Sequence, residues 1–431
     1  MRNLVLLAGI VLLAAFPLYG QAASQGTSTD TAALEQKLRD MEDRIVALEG
    51  QVRMLKSQPA AQPPAAPGEA SPPVAAQAAA AVPPMSVTAP VELLPNYGGA
   101  TGAAKALNPD ISVIGDFIGA AGGNSASVLA PQQPFSSLQM HESELGLQAI
   151  IDPYARGDFF ISFGEEGVDL EEGYITFTAL PASFVAKVGK MRSAFGKVNT
   201  LHNHVLPWID RPLVTTNLVG GEDGIDDAGV SVQRILPAPK GFFLEATGQL
   251  FRGDAADVFK ASRRSDVSTV EHLRLYKDIT ESTNLDIGLS YARGHNDFGS
   301  SFITQLYGVD ATLRWKPLRR SIYHSFIARS ELMWSQRQQF PSEQRAFGFY
   351  ASGDYQLGRR WFLGGRYDQS ERAAFANLTD KGGSAVLTYW PSEFSQIRGQ
   401  YRFTKYAEDI NANELLMQVI FSLGAHGAHP F

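Results

Sequence analysis

The chain has 431 residues, 44% hydrophobic, 10% aromatic and 19% charged, with no cysteine and a net charge of −7 from 37 basic and 44 acidic side chains. Without cysteine there is no disulfide scaffold, thiolate metal site or cysteine nucleophile, and an acidic chain is poorly suited to neutralising phosphates, which sets nucleic acid aside as a partner. Beyond residue 20 no stretch approaches the ~20 consecutive apolar residues of a membrane-crossing helix. A large soluble protein or a membrane β-barrel remains.

In chain order, Arg2, the apolar run from Leu4 to Phe16 and the small residues around Gly20-Gln21-Ala22 predict a cleavable secretory signal over 1–22. Over 30–57, Leu34, Leu38, Met41, Ile45, Leu48, Val52 and Leu55 are spaced alternately four and three apart, the spacing of a short α-helical coiled coil. With Leu38, Ile45 and Val52 at a positions, Lys37 and Arg44 fall at g and Glu42 and Glu49 at e, an arrangement that supports parallel self-association. Ile and Val at a with Leu at d favour a dimer, and a lone surface helix is the alternative reading. Residues 58–108 form a Pro/Ala-rich tether: Pro59 to Pro95 holds ten of the 24 prolines and no aromatic residue, too little apolar surface for a core.

From 109 to 431 the apolar signal has period two. Ile397, Gly399, Tyr401 and Phe403 alternate with Gln396, Arg398, Gln400, Arg402 and Thr404, and Tyr307, Val309, Ala311, Leu313 and Trp315 alternate with Gly308, Asp310, Thr312, Arg314 and Lys316. The same alternation runs through Phe347 to Tyr355, Leu145 to Ile151 and Leu285 to Tyr291. Such segments number about sixteen, the scale of a large transmembrane barrel. Between them, tight connections such as Asp152-Pro153, Leu180-Pro181-Ala182, Lys316-Pro317-Leu318, Gly358-Arg359-Arg360 and Trp390-Pro391-Ser392 contrast with longer polar stretches at 121–138, 193–225, 252–266 and 337–344. Short turns on one rim and long loops on the other are the asymmetry of an outer-membrane barrel. A soluble β-sandwich also alternates, but isolated Arg, Asp and Glu deep within strands fit lipid outside and water inside. The reading is an all-β transmembrane barrel of about sixteen antiparallel strands over 109–431. Both barrel ends then lie on the short-turn side, which is periplasmic together with the coiled coil.

The succession of signal, coiled coil, Pro/Ala tether, barrel and terminal Phe431 resembles the outer-membrane porins of the phosphate-selective O and P type. Through His202-Asn203-His204-Val205-Leu206-Pro207-Trp208 and the tail Gly424-Ala425-His426-Gly427-Ala428-His429-Pro430-Phe431 the chain is also similar to poorly characterised outer-membrane barrels described as zinc-regulated or receptor-like. The resemblance implies a passive channel for small hydrophilic solutes or ions, a homo-oligomer in trimeric form, and a third long-rim loop that folds into the lumen and sets a constriction. It also implies recognition of Phe431 by the barrel-insertion machinery, from whose usual signal His429 departs.

Inward-facing positions supply the candidate pore lining: basic Arg314, Arg329, Arg366, Arg398 and Arg402, and acidic Asp310, Glu331, Asp354 and Asp368. Arg314, Arg366, Arg398 and Arg402 suit the arginine ladder of the phosphate-selective members, but the interleaved acids leave the ion preference open. The connection 193–225 is the expected constriction loop, with Lys197, Asp210, Arg211, Glu222 and Asp223 as its charged residues and Phe195 and Trp208 to pin it. His202 and His204 form a candidate metal pair with Glu222 and Asp223 as carboxylate partners, and His426 and His429 a second pair. No phosphate loop, nucleophile elbow or paired-His helix motif occurs, so neither an enzyme nor a cofactor is expected. The expected partners are the outer-membrane bilayer, solutes, further copies of the chain and the cell wall. The last belongs to a rival reading in which the barrel only anchors a coiled coil that binds the wall or a periplasmic protein.

Overall fold

The computed structural model describes residues 109–123, 137–165, 167–255 and 258–424. The signal, coiled coil and tether expected over 1–108, and His426 and His429, lie outside the described residues. Sixteen strands follow in order. They are β1 (Asp110–Gly122), β2 (Leu138–Asp152), β3 (Ala155–Gly164), β4 (Gly167–Phe177), β5 (Phe184–Arg192), β6 (Asp226–Leu236), β7 (Phe242–Phe251) and β8 (Ser268–Thr280), then β9 (Thr283–Asn296), β10 (Gly299–Trp315), β11 (Phe326–Arg337), β12 (Gln344–Gly358), β13 (Trp361–Arg372), β14 (Phe375–Ser392), β15 (Ser395–Tyr406) and β16 (Ile410–Gly424). Each pairs antiparallel with its sequence neighbour, and β1 pairs with β16 to close the barrel. Closure leaves no edge with unpaired backbone groups, which a hydrocarbon environment demands.

The sidedness is the reverse of that in a soluble domain. On β15, Tyr401 is 51% and Phe403 43% exposed, whereas Arg398 and Arg402 are each 4% and Gln400 1% exposed. On β16, Leu415, Met417 and Leu423 face out while Glu414, Gln418 and Ser422 are buried on the inside. Aromatic side chains line up across strands on the outer face. Tyr307 sits directly opposite Tyr291 and Trp334, and Trp334 opposite Phe347, so that ring centroids lie 5.2 Å apart for the first pair and 5.1 Å for the last. Nearer the other rim Trp361 stacks on Tyr389 at 4.4 Å. Such rows belong at the level where hydrocarbon gives way to headgroups.

Among the described residues, one rim carries the long connections 193–225 and 338–343 and most of 252–267 together with tight hairpins, and the other is mostly short. The segment 316–325 departs from the expected tight turn at Lys316-Pro317-Leu318. Pro317 has no N–H to continue the β10 ladder, and the alternation that makes β11 resumes only at Phe326. The intervening chain closes a turn of its own, with the N–H groups of Tyr323 and His324 donating to the carbonyl of Arg320.

Candidate functional site

The segment 193–225 leaves β5, packs inside the barrel and returns to β6. Its apolar residues explain why it stays there. Phe195, Val198, Leu206, Trp208, Val214, Leu218 and Val219 are buried, in one cluster with the inward-facing Val270, Ala292, Leu306, Met333, Tyr350 and Val386 of the wall. Glycine makes the fit: a Cβ on Gly308 would lie 3.3 Å from Phe195 Cζ, and Gly196, at φ +64°, would place a Cβ 2.6 Å from Glu331 Oε2. Only a residue without a side chain turns the backbone left-handed that close to the wall. Trp208 meets Tyr350 edge-on at 5.2 Å and carries the Arg366 guanidinium 4.8 Å above its ring.

Asp210 is the centre of the polar contacts. Its Oδ2 accepts from Arg366 Nη2 at 2.9 Å and from Arg402 Nη1 at 2.7 Å, its carbonyl accepts from Arg366 Nη1 at 2.8 Å, and its Oδ1 accepts from Gln400 Nε2. Gln400 also accepts from the Ile209 N–H at 2.8 Å, so one wall amide holds both a backbone group and the carboxylate. Arg366 donates in addition to Asp368 and Arg402 to Glu414, while Asp368 Oδ1 accepts from the Leu213 N–H at 3.2 Å. Burial alone would raise the Asp210 pKa, but Arg366 and Arg402 outweigh it and hold the carboxyl well below the usual range. Arg398 donates to the Trp208 carbonyl at 3.2 Å. On another arc, Lys197 Nζ donates to Asp286 at 3.0 Å, and the N–H groups of Lys197 and Val198 donate to Glu331 Oε1 at 3.0 and 2.8 Å.

The sequence-derived residues thus sort by what they meet. Arg366, Arg398 and Arg402 point inward and meet the loop, as do Glu331 and Asp368 among the acids, while Asp310 is equally buried at 1% exposure. Of the four suggested ladder arginines, only Arg314, its side chain 41% exposed, stands open, with Nη1 3.9 Å from Asp286 Oδ2. Arg329 pairs with Asp354 across β11 and β12, both partly exposed. Arg211 serves the loop itself, donating to Asn203 Oδ1 and the carbonyls of Val198 and Leu201, and burial pushes its guanidinium down to about 10. Glu222 and Asp223 lie exposed where the loop returns, their carbonyls accepting from Arg192 Nη1.

The histidines correct an expectation. Among the described contacts, neither His202 nor His204 pairs with Glu222 or Asp223; Glu222 meets His141 Nε2 at 3.0 Å instead. His202 stands among Glu144, Glu171 and Glu172, with His204 Nδ1 3.7 Å from Glu144 Oε2. Burial opposes charge on His202, but the surrounding carboxylates prevail and push it up to about 11; burial dominates at His204 and lowers it. Sequence reading missed Glu171 and Glu172 because two adjacent glutamates cannot share one face of a regular strand. It missed Gln400 and Glu414 because an inward polar residue carries no mark of what it will touch. Beside the loop, a cavity of about 290 Å³ is lined by Lys187, Lys197, Thr200, Glu245, Thr247 and Arg274, among others.

No family model matches the chain. It is 28% identical over 385 residues to an uncharacterised protein of Aquifex aeolicus (strain VF5), across 76% of this chain and 81% of that one. Among solved structures it is similar to an anion-selective porin from Comamonas acidovorans, with a TM-score of 0.52 at 10% identity, over 73% of this chain and 99% of that one. It is also similar to the outer-membrane channel DcaP of Acinetobacter baumannii, with a TM-score of 0.51 at 13% identity, over 73% of this chain and 96% of that one. The fold is that of the outer-membrane porin barrels.

Proposed function

We propose that the protein is an outer-membrane channel through which small hydrophilic solutes or ions diffuse passively, with 193–225 as its constriction. The observation that carries this reading is the tethering of that segment to the inner wall by buried charged groups, while the outer wall is apolar. Such a loop narrows a water-filled barrel without plugging it by a separate domain, and the remaining polar wall replaces part of a solute's hydration. Lys197 belongs to the passage and Asp210 and Arg211 to the loop's support. Glu222 and Asp223 take the long-rim mouth, which faces outward, with the short rim and the expected coiled coil in the periplasm. The subunits assemble as a homo-oligomer.

A modest anion preference follows from exposure rather than from count. Arg156, Arg274 and Arg314 keep substantial side-chain exposure, whereas their partners Asp158 and Asp286 are buried against them. Solutes therefore meet more positive than negative surface, a bias that favours anions.

Single-channel recording of the refolded protein in a planar bilayer tests both statements. Stable ohmic steps with a reversal potential of anion-selective sign across a salt gradient are expected. Silence from a folded, inserted barrel would overturn the channel and turn attention to the anchor reading, with the coiled coil and tether as the binding parts.

A further inference from the structure

A second cluster of titratable groups lies on the arc of β2 and β4, outside the Asp210 contacts, and two bulges create it. The pairing of β2 with β1 slips between Asp116 and Phe117, leaving His141 as the extra residue, and that of β4 with β3 slips between Phe160 and Ile161, leaving Glu171 as the extra residue. A bulge lets sequence neighbours share a face, which strict alternation forbids. Glu171 and Glu172 are both buried as a result, close to Glu142 and Glu144 of β2.

The loop inserts His202 between them. Its Nδ1 lies 2.8 Å from Glu144 Oε2 and 2.8 Å from Glu171 Oε2, and these three atoms all fall within 4.8 Å of one another. On the opposite edge of the ring, Nε2 is 2.9 Å from Glu172 Oε2, within hydrogen-bond reach. Glu144 is only 3% exposed, yet its Oε2, like His202 Nδ1, has no hydrogen-bond partner among the described residues. A buried carboxylate oxygen aimed at a ring nitrogen without hydrogen-bond geometry is an open demand for a positive centre.

We propose that Glu144, Glu171 and His202 bind a divalent transition-metal ion, with Glu172 accepting the Nε2–H of the ligating ring. The ion takes Nδ1 and two carboxylate oxygens at about 2.0–2.2 Å each, and the carboxylate behind the imidazole is the outer partner that orients a metal-bound histidine and fixes its tautomer. His204, its Nδ1 3.7 Å from Glu144 Oε2, offers a further donor for a fourth position. A nitrogen donor speaks against calcium and magnesium, which take oxygen sets. The charge balance agrees: among the described residues, Glu142, Glu144, Glu171 and Glu172 have in contact, besides the His202 ring itself, one guanidinium, that of Arg192, whose Nη2 is 3.1 Å from Glu171 Oε2. Entry is available through a cavity of about 330 Å³ whose lining includes Glu142, Glu171, Arg192 and Asn203. Binding displaces the proton from Nδ1 and clamps the loop to β2 and β4.

The test titrates the refolded full-length protein in detergent with zinc chloride alone by isothermal calorimetry, with metal content read by mass spectrometry. One bound equivalent is expected, with affinity lowered by at least about tenfold in Glu144→Gln and His202→Ala, and by about 10–100-fold in Glu172→Gln, which keeps all three donors. Each variant is first shown to be folded by its heat-modifiable electrophoretic mobility; should His202→Ala fail, the two glutamine variants decide. A folded wild-type protein that takes up no zinc overturns the site, and so does undiminished binding in the folded variants, which would locate the ion elsewhere. Displacement of the zinc by equimolar calcium would overturn the assignment to a transition metal.

Discussion

Asp210 is held by two arginines that keep other partners when it is gone, Arg366 by Asp368 and Arg402 by Glu414. Asp210→Asn therefore leaves the wall paired but removes the buried carboxylate that ties the loop to it, at a cost of about 3–5 kcal/mol for a broken buried ion contact. The expected outcome is an intact barrel with a looser loop, seen as higher and noisier single-channel current and as new protease cleavage within 193–225. The sign with pH follows from the same contacts. Because the folded pKa of Asp210 lies below its unfolded value of about 3.8, its contribution is complete above that value and fades as pH falls through the lowered one. Protease protection of the loop at pH 7 should thus persist at about pH 4 and give way only in stronger acid. At this scale the sequence was partly legible. Alternation is enough to assign Arg366, Arg398 and Arg402 inward, but that they meet a loop instead of open water depends on contacts between residues some 150–190 positions apart, beyond the reach of any local pattern.

Among the elements, 193–225 shows what local sequence does and does not reveal. Its length and its apolar Val205 to Ile209 stretch mark it as a packed loop, and it is one. The receptor for the loop is spread over several strands as single small or apolar residues at inward positions, Gly308, Leu306, Met333 and Ala346 among them, which look like lapses in a polar face until the loop is in place. Gly308→Leu tests the fit: the new side chain would collide with Phe195, and overpacking of this kind costs about 1–3 kcal/mol. The barrel should still fold and insert, while the conductance distribution broadens as the loop loses its seat; an unchanged, narrow distribution would show that Phe195 does not depend on that space. Bulges were the least legible feature, because one inserted residue in β2 or β4 shifts the phase of everything after it without changing composition.

For the whole molecule, period two, the strand number and the asymmetry of the rims were all present in the sequence, because lipid imposes them on every strand alike. The ion preference was not, since inward bases and inward acids are interleaved along the wall and their signs offset one another. Only the pairing shows that the acids are the more deeply buried, with Asp286 at 0% exposure beneath Arg274, Lys197 and Arg314. Charge reversal at the most exposed partner, Arg314→Glu, should move the reversal potential toward cation selectivity with little change in the amount of folded barrel. A shift in the opposite direction would refute the reading of the wall given above.

The rings on the two faces of the wall also amount to a built-in optical gauge. Trp334 and Trp361 project from the outer surface, whereas Trp208 is sealed inside beneath the Arg366 guanidinium. In vesicles of brominated lipid the outward indoles should be quenched by their contact with the acyl chains and Trp208 should be spared. With Trp390, which lines a cavity at the short rim, replaced by phenylalanine, the surviving blue-shifted emission would report the state of the loop, and in Asp210→Asn it should move to the red as the lumen water reaches the indole.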